Sequence, residues 1–189
     1  MLEARIQQQF FDSADWLNQS AESLSRPLAA AAQTLLGCIT AGAKVMVVGQ
    51  GAGTALAGYF AHLLMGRLER ERPPLSALTL HEPTAGETSP TEAQIRALGQ
   101  PGDVLLAIVC DAATPAMQET LRLAQDKDLT VVVLAARAEA SLTGLLREAD
   151  VLVGIPGARS ARALELTFVS LHCLIDAIET QLLGEQDSP

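Results

Sequence analysis

The residue run best suited to chemistry in this chain is Gly49-Gln-Gly-Ala-Gly53, which follows the apolar stretch Lys44–Val48 and precedes a helical pattern from Thr54. A glycine-rich turn in that place directs bare backbone N–H groups at a helix N-terminus, where a phosphate can be held without a charged side chain. The same glycines suit a tight turn that needs positive φ or close packing and holds no ligand. The residues alone leave both readings open. The run is not a dinucleotide fingerprint, because no third glycine has the required spacing and no acidic residue ends the next apolar run itself. A second group is His81, Glu82 and Asp111, which strand ends would bring near one another. A histidine with two carboxylates could bind a metal, but solvated loop residues are the preferred reading. Cys110 would be a nucleophile only with a nearby base or a depressed pKa. Asp111 beside it acts in the opposite direction, so an inert buried thiol is expected.

Elements must hold these residues in place. Five apolar runs read as strands: Lys44–Val48, Ser76–Leu80, Val104–Val109, Thr130–Ala135 and Val151–Ile155. Each is nearly continuous, as strands buried on both faces require. Helical patterns lie between them at Thr54–Arg70, Thr91–Leu98, Pro115–Gln125 and Ala138–Arg147, and Ala161–Leu183 closes the chain as a long helix. Residues 2–40 also read as helix, with Pro27 as a possible start of a second one after a Ser25 cap. Alternating strands and helices predict an α/β fold with a five-stranded parallel sheet. Ligands bind such sheets outside the carboxyl ends of the strands. That edge carries Gly49–Thr54, His81–Glu87, Val109–Thr114 and Pro156–Ser160, and Glu82–Pro90 reads as a loop.

Composition narrows the class. At 189 residues one domain is expected, with residues 1–40 as helix for oligomer packing, 41–183 as the α/β core and 184–189 as a flexible acidic tail. Hydrophobic residues make up 49% but aromatics only 3%, so Ala, Leu and Val must fill the core. The formal net charge of −9, with no basic cluster, argues against direct nucleic-acid binding. Cys38, Cys110 and Cys173 are widely spaced and odd in number, which fits neither a disulfide framework nor a zinc site. The N-terminal stretch lacks the pattern of a signal peptide, and no apolar run reaches the ~20 residues of a membrane span. A cytoplasmic protein with no cofactor and no metal is expected.

Several stretches together resemble the SIS (sugar isomerase) domain family, in the branch that holds phosphoheptose isomerases and DiaA, the DnaA initiator-associating protein. They are the N-terminal helix, the first glycine loop, Arg67-Leu-Glu-Arg-Glu-Arg-Pro73, Gln94-Ile-Arg-Ala-Leu-Gly99, Gly102-Asp-Val-Leu-Leu-Ala-Ile108 and Arg159-Ser-Ala-Arg162. The Arg-Ala-Leu-Gly run with the Gly-Asp-Val-Leu-Leu-Ala-Ile run is most similar to DiaA. The resemblance implies a flavodoxin-like three-layer α/β/α fold with an N-terminal helical extension, and a homotetramer. It implies either a sugar phosphate at the strand ends or, on the DiaA side, binding of the replication initiator.

The resemblance also assigns positions, and several depart from the pattern. A histidine and a glutamate for metal and proton transfer, expected on the helix after the first loop, are Tyr59 and Leu63 here. A glutamine and a histidine expected on the last helix are Leu164 and His172. Isomerisation needs a positioned acid or base, so His172 is the one candidate left, and packing is its preferred role. Implied phosphate contacts are Gly49, Gln50, Gly51, Gly53, Thr54, Thr114 and Ser160. The second loop reads Val109-Cys-Asp-Ala-Ala-Thr114, where Asp111 would repel a phosphate and Thr114 is also a helix N-cap ahead of Pro115. The connection after Leu80 reads as shorter than in either relative. Ser160 is a candidate cap, Arg162 a candidate anchor with Glu165 near it, and Leu182 with Leu183 a candidate docking pair for a partner protein. The favoured expectation is a non-catalytic scaffold of DiaA type binding an initiator-like protein. The alternative is a phosphoheptose isomerase-like enzyme, or a sensor of sugar phosphates, with an altered pocket.

Overall fold

The computed structural model describes residues 1–85, 89–136, 140–157 and 159–185, apart from the side chains of residues 140 and 141. The chain runs α1 (Leu2–Thr40), β1 (Val45–Gln50), α2 (Ala52–Met65), β2 (Ala77–Thr79), α3 (Pro90–Leu98), β3 (Val104–Val109), α4 (Pro115–Asp126), β4 (Thr130–Ala135), α5 (Ala140–Thr143), β5 (Val151–Gly154) and α6 (Ser160–Leu183). The strands form one sheet in the order β2-β1-β3-β4-β5, with every pairing parallel. Val45 to Gln50 pair in register with Val104 to Val109.

Because successive strand residues face opposite ways, the sheet separates two apolar layers. Val45, Val47, Leu106 and Ile108 pack with Leu35 of α1, Phe60 and Leu64 of α2, and Leu174 of α6. Met46, Val48, Leu105 and Val109 pack with Ile95 of α3, and Met117 and Leu121 of α4. Fully burying one such side chain contributes roughly 1.5–3 kcal/mol. Two aspartates tie the strand entrances together. Asp103, just before β3, accepts from the backbone N–H groups of Lys44 (3.0 Å) and Gln100 (2.8 Å). Asp150, just before β5, accepts from those of Val131 and Arg147, each at 2.8 Å.

Three of the expected helices change. Helix α1 is one helix, with Pro27 inside it. Leu24, Ala31, Ala32 and Leu35 are buried on both sides of the proline, and that packing carries the helix through the lost hydrogen bond. Helix α2 stops at Met65 rather than Arg70. Helix α5 is a single turn, and the start expected at Ala138 lies outside the described residues. Helix α6 is long and apolar enough by composition to cross a membrane, yet its Leu166, Leu171, Leu174, Ile175 and Ile178 are buried against the protein core. Of the expected acidic tail, residues 186–189 lie outside the described residues, and Gly184 ends α6 with φ +83°.

Candidate functional site

The loop between β1 and α2 is built from close approaches. A Cβ on Gly49 would run into the carbonyl of Gly53, and one on Gly53 into the carbonyl of Ile108 on β3. Gly51 stands at the N-cap of α2 with φ +57°, a conformation other residues rarely adopt. The glycines are therefore explained by packing and turn geometry alone. Thr54 is turned inward: its hydroxyl donates to the Gly49 carbonyl at 3.2 Å, and its N–H to that of Gly51 at 3.1 Å.

Two side chains link the loops at the carboxyl ends of the strands. Buried Gln50 donates from Nε2 to the Ala112 carbonyl, and its Oε1 accepts from the Thr114 N–H, both at 2.9 Å. It thereby ties the first loop to the second. Thr114 caps α4, its hydroxyl accepting from the Met117 N–H at 3.2 Å with Pro115 in the first helical position. Glu82 reaches across from the β2 end, and its Oε1 accepts from the Gly51 N–H at 2.6 Å. The anion-seeking end of α2 thus already faces a carboxylate of the chain itself.

The second sequence group is not assembled into a metal site. Among the described residues no group of three or more His, Cys, Asp and Glu could hold a metal. His81 is drawn to α3, with its N–H and Nδ1 lying 2.8 and 2.9 Å from Gln94 Oε1. Glu87, at the end of the expected loop segment, lies outside the described residues. Cys110 is buried, and its thiol is pushed up to about 11, first by burial and then by the Asp111 charge. Both effects oppose thiolate formation, the direction expected from Asp111 beside it.

The four positions singled out by resemblance divide in pairs. Leu63 is buried in the apolar layer, and half-buried Leu164 packs against that layer. Tyr59 and His172 come together, with Tyr59 Oη 2.7 Å from His172 Nε2. Phe168, one turn before His172 on α6, stacks on Tyr59 at 5.1 Å between ring centroids and meets His172 edge-on at 4.6 Å. This aromatic triad was not read from the sequence; its one signal is the i, i+4 spacing of Phe168 and His172.

Four further candidates lie on α6. Ser160 is the first residue of α6 rather than its cap, since Arg159 holds the N-cap position and no side chain caps the helix. Arg162 is buried and points at α1 of its own chain: it donates to the Gln9 carbonyl at 3.0 Å and to the Ser13 hydroxyl, and pairs with Glu165 at 3.0 Å. Leu182 and Leu183 are not an exposed pair. Leu182 packs against the core layer and only Leu183 is exposed.

The SIS domain family matches residues 9–136. A phosphoheptose isomerase from Methylibium petroleiphilum is 46% identical, the alignment covering 99% of this chain and 98% of that protein. One from Aromatoleum aromaticum is 36% identical over 97% of each. Among solved structures, phosphoheptose isomerases from Neisseria gonorrhoeae and Francisella tularensis superpose with TM-scores of 0.82 and 0.83. Both are 26% identical and cover 95% of this chain and 100% and 99% of theirs. These relatives carry the isomerase name, and the likeness to DiaA rests on the short runs quoted above. The chain belongs to the SIS domain family and, within it, to the phosphoheptose isomerases.

Proposed function

We propose that this protein acts on a sugar phosphate of the phosphoheptose class, in the crevice between the glycine loop and the Tyr59–His172 pair. The observation that carries this reading is that pair, hydrogen-bonded at 2.7 Å. It supplies an acid/base couple in a chain whose full-length relatives are named isomerases. Aldose–ketose isomerisation moves a proton between adjacent carbons and balances it at the oxygens. A neutral imidazole can accept the carbon-bound proton, and a phenol beside it can donate to the oxygen that gains charge. Tyr59 lies about 10 Å along α2 from the loop at its N-terminus, so phosphate and reacting carbons would occupy separate ends of the crevice. Kinetic assay with sedoheptulose 7-phosphate tests this. Turnover should fall at least ~100-fold in His172→Ala and about tenfold in Tyr59→Phe. Binding without turnover in the unaltered protein would reduce the reading to a sensor of sugar phosphates.

A second reading has its own observation. Leu63 and Leu164 place apolar groups where the resemblance implies a glutamate and a glutamine. That loss favours a non-catalytic scaffold of DiaA type, a homo-oligomer presenting repeated docking surfaces to a DnaA-type initiator. Calorimetric titration with the cognate initiator decides it, and absence of heat at tens of micromolar would remove it.

A further inference from the structure

The Glu82–Gly51 contact is held in place from both sides. On the N-terminal side, the His81 N–H donates to Gln94 Oε1 at 2.8 Å, and the Thr91 hydroxyl donates to the His81 carbonyl at 2.8 Å. Both clamps come from α3. On the C-terminal side stands Pro83, which is buried. A residue before proline is confined to extended backbone, so Glu82 has little freedom of its own. Its carboxylate is thereby presented to the Gly51 N–H at 2.6 Å, at the N-cap of the fourteen-residue α2. An exposed glutamate on an unrestrained loop would lose side-chain entropy in making this bond. Here the backbone on either side has already been fixed by other contacts.

From this we propose that Glu82 is an intramolecular stand-in for the phosphate: a built-in latch that a phosphorylated ligand must displace to reach the glycine loop. The inference rests on the sugar-phosphate reading above and adds to it a residue that sets affinity. The mechanism is competition for one N–H donor. Two anions cannot share the Gly51 amide at hydrogen-bond distance, and Asp111 on the neighbouring loop, exposed and also anionic, does not offset the repulsion. Only a ligand that gains more from the rest of the crevice than the carboxylate gains from Gly51 displaces it. The latch therefore lowers the apparent affinity of every anion for the loop by one common factor, and a ligand with a sugar moiety stays bound through the contacts its sugar adds.

Calorimetric titration of the full chain with sedoheptulose 7-phosphate and, separately, with inorganic phosphate tests the latch in Glu82→Ala and Glu82→Gln. Amide exchange at Gly51 is followed alongside without ligand. Glu82 is exposed, and thermal melts confirm that each variant folds. The expected result is binding about three- to tenfold tighter in Glu82→Ala, by the same factor for sugar phosphate and inorganic phosphate, with faster exchange at Gly51. Binding by Glu82→Ala alone is the strongest form of that result. Equal or weaker binding in Glu82→Ala, with the unaltered protein still binding, overturns the latch and leaves the sugar-phosphate reading standing. No binding by any of the three proteins overturns both and reduces Glu82 to a helix cap.

Discussion

Gly49 and Gly53 show how little room a single residue has in the β1–α2 turn. A methyl group at either meets backbone rather than a side chain that can move aside. Gly49→Ala should therefore cost about 2–3 kcal/mol, lowering Tm by roughly 6 °C for a chain of this size. Gly37 is the control. It lies exposed inside α1, and a Cβ there meets nothing within 4 Å, so Gly37→Ala should stabilise by about 0.5–1 kcal/mol. Equal melting shifts of the same sign in the two variants would refute the close-approach account. The buried thiols give a prediction in pH. Cys38 and Cys110 are each raised from 9.0 to about 11, chiefly by burial. The folded state thus keeps protons that the unfolded chain releases as pH rises from about 9 to about 11, and stability must fall across that window. Urea melts at pH 8 and pH 10.5 should show the loss, and a Cys38→Ala, Cys110→Ala double variant should show less of it.

The end of α2 explains both a contact of consequence and a limit of sequence reading. The helical pattern runs on to Arg70, but Gly66 closes the helix and the chain turns back so that Arg72 can cap it. The Arg72 guanidinium donates to the carbonyls of Leu63 at 2.7 Å and Leu64 at 2.8 Å, and pairs with Glu179 of α6 at 2.8 Å, both side chains nearly sealed from water. Removing one partner strands the other charge in the interior. Arg72→Met should cost about 3–5 kcal/mol in urea unfolding, and adding Glu179→Leu should recover part of it. No recovery would assign the stability to the capping bonds instead of the ion pair. The arginine run was visible in the sequence, but its partners were not, since Glu179 lies 107 residues away. The same division holds elsewhere. The apolar strands β3 and β4 were legible to the residue, because burial on both faces leaves an uninterrupted signal. Pro27 misled because local proline chemistry yields to packing on both sides. At the site, the glycines and the Thr114 cap were legible from local rules, whereas Tyr59–His172, Gln50–Thr114 and Glu82–Gly51 are long-range pairs that one chain of letters does not announce.

The whole molecule carries a formal charge of −9, so copies of it repel at long range and any assembly must be driven by apolar area. That area exists in two places. The first turns of α1 expose Leu2, Ile6 and Phe10, spaced four apart on one side of the helix, with Phe11 beside them. Between α1 and α6 runs a groove lined by Leu17, Ala21, Leu28, Leu166 and Val169, and a neighbouring one adds Leu56 and Phe168. Arg162 fixes where α1 leaves the core, by holding Gln9 and Ser13, so the arm's direction is set before any partner arrives. A monomer with this much exposed apolar surface would tend to associate. The homo-oligomer implied by resemblance, a tetramer, is therefore our expectation for the assembly. Light scattering should give a mass near four times the 19.9 kDa chain. Phe10→Asp with Val169→Asp should shift it toward smaller species while leaving the circular dichroism of the α/β core intact. A monomer at high micromolar concentration in the unaltered protein would defeat this expectation. It would also bear on function, because the scaffold reading needs several copies of one surface on a single particle, whereas the Tyr59–His172 pair is formed within one chain. An unaltered monomer that still turns over sedoheptulose 7-phosphate would therefore separate the two readings in a single preparation.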